Sequence, residues 1–192
     1  MALLVRIGLR VPMNAWCSVG FPAGTWRLGE SCVSVDDCSG PSVITAEIAE
    51  CGDEIAVSGM ERSAGQVTCT SAMNGLDLEA IDHLMVRTRE VETTLQSLSS
   101  SFRVAVAVDG NGERSVWLNS VRIDMVPTPE LTAPAELWGI AFRVKNIDTV
   151  VDQLGGDVIG VPKPARQPGQ RVAVFRGGAG LGLPIALIDF RG

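Results

Sequence analysis

The 192-residue chain is 46% hydrophobic and 20% charged, with a formal net charge of −6, the profile of a globular protein rather than a disordered one. The negative balance argues against nucleic acid and anionic membrane as partners, because both select basic surfaces. No run approaches the roughly 20 apolar residues that cross a bilayer. The opening MALLVRIGLRVP is broken by Arg6 and Arg10, unlike a signal peptide's continuous apolar core, so the expected location is cytoplasmic.

In chain order, LLVRIGLRV reads as a strand. Pro12 suits the first turn of a helix bearing Met13, Trp16 and Cys17, and Gly20 ends it. WRLGESCVSV and SVITAEIAE read as further strands, and the Ser-, Gly- and Thr-rich stretch from Ser58 to Ala72 as a connection. Cys17, Cys32, Cys38, Cys51 and Cys69 form no C-x-x-C pair, so neither a zinc knuckle nor a redox motif is signalled. Buried reduced thiols are the expectation.

From Ile81 to Leu98 a β-type stretch puts Ile81, His83, Met85 and Arg87 on one face and Asp82, Leu84 and Val86 on the other. Thr88 is a cap candidate for a helix with Val91, Leu95 and Leu98 on its apolar stripe. FRVAVAVD, a DGNG hairpin turn, ERSVWLN and VRIDMVP follow, closed by a Pro-rich linker at 127–130. A second pass then begins. LWGIAFRV is a strand, Asn146 a cap, and Ile147, Val150, Val151 and Leu154 a helical stripe that stops at Gly155-Gly156. A strand near Asp157–Val161, a Pro-rich loop, QRVAVFR, the turn GGAGLG and LPIALIDF complete it. The glycine run has the composition of a phosphate loop, but a strand follows it where such loops need a helix.

Ile81 falls on Leu137 at an offset of 56 residues, and the same offset sets Leu84 on Ile140, Arg87 on Arg143 and Val91 on Ile147. Strand face, cap and helix stripe coincide, the mark of an internal repeat. The expected fold is α+β: paired βαβββ modules at 79–127 and 136–190, forming a cup-shaped curved sheet within a domain at 79–192. The segment 1–76 stays open between a shortened third module and an appended α+β piece.

Paired units opened by I-D-H-L-x-V resemble the glyoxalase / bleomycin-resistance / dioxygenase (vicinal oxygen chelate) superfamily, and Leu137 to Asp189 is similar to the second half of glyoxalase-like domains. In metal-dependent members of that superfamily each unit places one ligand on its first strand and one on its last. The matching positions here are His83 and Asp124 in the first unit and Gly139 and Ala186 in the second. Gly and Ala have no ligating atom, and His83 is the single histidine. Two ligands fall short of the three or four that a catalytic metal takes, so no metal and no cofactor are expected.

Alternation aims His83, Met85, Arg87, Trp117, Asn119 and Asp124 into the cup from one unit, and Gly139, Ala141, Arg143, Phe175 and Ala186 from the other. Trp138 is expected in the core. Arg87 and Arg143 suit a carboxylate, Trp117 and Phe175 a planar ligand, and Gly139 and Ala186 leave room. His83 and Asp124 are the acid/base candidates. The leading expectation is a protein that binds a small organic ligand, carboxylate-bearing or planar, without the family's metal. A glyoxalase-like lyase, isomerase or dioxygenase-related enzyme using His83 and Asp124 is the first alternative, and a structural or interaction protein the second. The resemblance also implies a homodimer.

Overall fold

The computed structural model describes residues 2–51, 55–63 and 75–190. The expected connection from Ser58 to Ala72 therefore lies partly outside the described residues.

The first repeat comprises β6 (Leu78–Thr88), α2 (Val91–Phe102), β7 (Ala107–Val108), β8 (Arg114–Leu118) and β9 (Val121–Pro127). The second comprises β10 (Ala135–Val144), α3 (Ile147–Leu154), β11 (Lys163–Pro164), β12 (Gln170–Val174) and β13 (Ile185–Phe190). In each, the last strand returns parallel to the first, β9 beside β6 and β13 beside β10. Antiparallel pairing of β6 with β10 joins the repeats into one sheet, ordered β11-β12-β13-β10-β6-β9-β8-β7.

Local chemistry explains these boundaries. Asn146 accepts hydrogen bonds from the Asp148 and Thr149 backbone N–H groups at 3.0 and 3.2 Å, capping α3. Gly155, at φ +81°, ends that helix in a conformation that favours glycine. Asp109 accepts from the backbone of Asn111 and Glu113, closing the DGNG hairpin. Thr88 is not the cap of α2: the helix starts after Glu90, and the Thr88 hydroxyl bonds Thr94 Oγ1 at 2.6 Å. The strand expected near Asp157–Val161 is reduced to a single bridge between Ile159 and Phe175. The edge strand forms later, at Lys163–Pro164, inside the Pro-rich loop.

Before these come β1 (Leu3–Val11), α1 (Met13–Ser18), β2 (Gly24–Leu28), β3 (Ser31–Asp37), β4 (Val43–Ala49) and β5 (Met60–Arg62), in a sheet ordered β2-β3-β1-β4-β5. WRLGESCVSV is thus not one strand but a hairpin turning at Gly29, φ +60°. β3 is parallel to β1, β4 antiparallel to β1, and β5 parallel to β4. The large sheet has the same pairings at its centre, with further strands outside them. Ser58 links the sheets, donating its N–H to Ala135 O and accepting from Leu137 N.

The core lies between the sheets and under α2 and α3. Leu84, Val86, Leu95, Leu98, Val116, Leu118, Ile123, Ile140 and Phe142 are fully buried. Phe21 stacks on Trp16 with ring centroids 4.2 Å apart and lies 5.6 Å from both Phe142 and Phe175. Those spacings suit aromatic packing, and each such ring contributes roughly 1.5–3 kcal/mol by burial.

Of the cysteines expected to be buried thiols, Cys51 is buried and free, Cys38 is half-buried and free, and Cys17 is free but exposed. Cys32 is disulfide-bonded. No helix among the described residues is long and apolar enough to cross a membrane.

Candidate binding site in the cup

A β-bulge builds the polar wall of the cup. Along the β6–β10 pairing, His83 faces Ala141 and Ile81 faces Phe142, so Asp82 is an extra residue with no partner across the ladder. Ile81 therefore stays with the core, only 2% exposed, and does not share His83's face as alternation predicts. Asp82 joins His83 instead.

The result is a line of charge across β10, β6 and β9. Arg143 Nη2 donates to Asp82 Oδ1 at 3.0 Å, and Asp82 Oδ2 lies 3.0 Å from His83 Nδ1. His83 Nε2 is 4.0 Å from Asp124 Oδ2. Arg122 then holds Asp124 with Nε on Oδ1 at 2.6 Å and Nη2 on Oδ2 at 2.8 Å. Burial alone would raise the Asp82 pKa, but hydrogen bonds from His83 and Arg143 outweigh it and hold the carboxyl below its ordinary value.

A second bulge places Trp138 between Leu137, which faces Val86, and Gly139, which faces Met85. Trp138 is therefore not core packing. Its ring lies under the Arg87 guanidinium, 5.2 Å from the centroid, and Arg87 is also paired with Glu136. Arg87 and Arg143, expected as a free carboxylate clamp, thus each carry an acid partner, although Nε of each is buried without a hydrogen-bond partner among the described residues.

The second repeat supplies an apolar wall. Ala141, Ala186 and Ile188 are buried together, with Ala165 and Val172 packed against them. The room expected at Gly139 is filled: a Cβ there would sit 2.7 Å from Met85 Cε and 2.8 Å from Pro184 O. Phe175 is not in the cup but in the core against Phe21, because it follows β12 beyond Val174. Asn119 is in the β8–β9 turn at φ +53° and lines a shallow depression with Leu3 and Arg27, away from His83.

On the cup side of β7–β9 lies a cavity of about 220 Å³, lined by Ser115, Trp117, Arg122 and Asp124 and closed by Arg166 and Gln167 of the β11–β12 loop. Arg166 pairs with Asp109 and Glu113 of the opposite repeat, across the mouth. Arg122 was legible in the sequence, since alternation puts it on Asp124's face. Asp82 depended on a bulge and Arg166 on a loop, and neither has a periodicity.

Among the described residues no group of three or more His, Cys, Asp or Glu converges to hold an ion. Arg122 donates to both Asp124 oxygens, and His83, with Nδ1 on Asp82, keeps Nε2 free, so these two positions supply at most two donors. Gly139 and Ala186 bring no donor atom.

No family model matches the sequence, and no curated protein matches it. Among solved structures, a xylose isomerase-like TIM barrel/4-hydroxyphenylpyruvate dioxygenase fusion protein superposes on 99% of this chain at 9% identity with a TM-score of 0.65. The chain spans about half the length of that protein, 49%. Methylmalonyl-CoA epimerase from Mycobacterium tuberculosis matches 63% of this chain and 94% of its own, at 11% identity and a TM-score of 0.49. The chain has the paired βαβββ fold of the glyoxalase / vicinal oxygen chelate superfamily. Within that fold its cup has one polar and one apolar wall.

Proposed function

We propose that this protein binds a small organic molecule in the cup of its eight-stranded sheet, without the divalent metal of the fold's metal-dependent members. The observation that carries this reading is the cavity of about 220 Å³ beside Trp117, Arg122 and Asp124. It lies below the roughly 300–1,000 Å³ of drug-sized sites, so the ligand is small. A thermal-shift screen of planar and polar compounds of this size tests it, and a flat response across the set would count against binding. Metal analysis of protein purified without chelator tests the second half; stoichiometric Fe, Zn, Mn or Ni would overturn it.

A second reading, an enzyme with His83 as acid/base, is favoured by the contact of Asp82 with His83 Nδ1, which leaves Nε2 toward Asp124. Under it, His83→Ala removes turnover while the melting temperature stays close to wild type.

The same proposal takes 1–76 as a shortened copy of the unit, on the strength of the parallel β1–β3 return. It takes the protein to be a homodimer, consistent with exposed Val108 on β7 and Val161 before β11. Light scattering that gives a monomer mass at micromolar concentration would remove the dimer.

A further inference from the structure

We infer that Asp82 is a positioning residue: it holds His83 with the ring proton on Nδ1, so that Nε2 and Asp124 Oδ2 form a two-acceptor notch for an N–H-bearing head group. This deepens the binding reading above and rests on it for the ligand alone.

An ionised carboxylate accepts and does not donate. Asp82 Oδ1 already accepts from Arg143 Nη2 at 3.0 Å, and the 3.0 Å contact of Oδ2 with His83 Nδ1 requires the proton to be on that nitrogen. Asp82 is 5% exposed, and its lowered pKa keeps it ionised through the neutral range. In the neutral ring Nε2 is then a bare acceptor, since one nitrogen donates and the other accepts.

Bare Nε2 faces Asp124 Oδ2 across 4.0 Å. Two acceptors at that distance do not bond each other. One nitrogen about 2.9 Å from each bridges them, provided it carries two protons to give. A primary amine or carboxamide fits; a carboxylate, which is another acceptor, does not. The neighbouring arginines do not reverse this preference, because Arg122 and Arg143 are each paired with an aspartate in the same line. Trp117, 39% exposed on the cavity wall, offers a face for an apolar body behind such a head group.

His83 is the single histidine, so its ring resonances are unambiguous. Long-range ¹H–¹⁵N correlation, recorded at a pH where the spectrum itself shows a neutral ring, reads the tautomer directly. The expected wild-type spectrum has Nδ1 in the protonated range and Nε2 in the unprotonated range. Asp82→Ala shifts Nε2 toward the protonated range, and so does Asp82→Asn, because its amide oxygen accepts from Arg143 and its amide nitrogen then donates to Nδ1. A wild-type ring protonated at Nε2 overturns the inference without any variant, as does an unchanged tautomer in Asp82→Ala. Benzylamine and benzoate then probe the notch. Movement of Nε2 with benzylamine and not with benzoate supports it, and the reverse overturns the head-group assignment. No response to either, with the tautomer as expected, leaves the role of Asp82 standing and counts against ligand binding in the cup.

Discussion

Arg122 holds both oxygens of Asp124 in a two-pronged ion pair, at 2.6 and 2.8 Å, with the two side chains only 10% and 14% exposed. A nearly buried pair stabilises little in sum, but loss of one partner strands the other charge. Arg122→Leu is therefore expected to destabilise the fold by about 3 kcal/mol, and the double variant Arg122→Leu/Asp124→Leu to recover most of that. Urea denaturation of the three proteins checks it; a double variant as unstable as the single one would contradict the stranded-charge account.

Asp82 gives the fold an acid dependence of defined sign. Its folded-state pKa lies below the ordinary carboxylate value, so its contribution is present above about pH 4 and is lost as pH falls through the folded pKa. The stability difference between wild type and Asp82→Ala is expected to be constant near neutrality and to shrink only below that range. Denaturant titrations between acid and neutral pH read it, and a difference that grew in acid would have the wrong sign.

The repeat was legible because strand and helix periods recur at one offset, and because Asn146, Gly155 and the DGNG turn act locally. The site was less so. Alternation puts His83 and Asp124 where their side chains approach to 4.0 Å and Trp117 beside Asp124 on the cavity wall, but it misplaces Ile81, Asp82 and Trp138, because each bulge adds one residue and moves a side chain to the other face. Phe175 fails for a different reason. Its place is set by Phe21 of the α1–β2 loop, a tertiary contact with no local signature. The same aromatic cluster makes Phe142→Ala costly, by about 3–5 kcal/mol, since Phe142 touches both Phe21 and Trp26. Thermal melts check it, and a loss below 1 kcal/mol would mean that the sheets are coupled elsewhere.

Gly139 is the position where the first strand of the second repeat faces Met85. A methyl group there would collide with Met85 Cε, which can move, and with Pro184 O, which is backbone. Gly139→Ala is expected to cost about 1–3 kcal/mol by overpacking. Met85→Ala added to it recovers only part, because the Pro184 carbonyl remains. Full recovery in the double variant would assign the whole clash to the methionine.

Arg166 crosses the cup mouth to Asp109 and Glu113, with all three side chains about a third to a half exposed. Pairs this wet stabilise by at most about 1 kcal/mol, so Arg166→Ala is expected to leave the melting temperature nearly unchanged. Its effect falls instead on access. Trp117 lines the cavity that Arg166 closes, whereas Trp16 and Trp26 are buried at 0% and 1% exposure. Acrylamide quenching of tryptophan fluorescence should therefore rise in Arg166→Ala, and the rise should vanish when Trp117→Phe is added. Equal quenching in wild type and Arg166→Ala would mean that the loop closes the cup through Gln167 and the backbone, and that the ion pairs only decorate its rim.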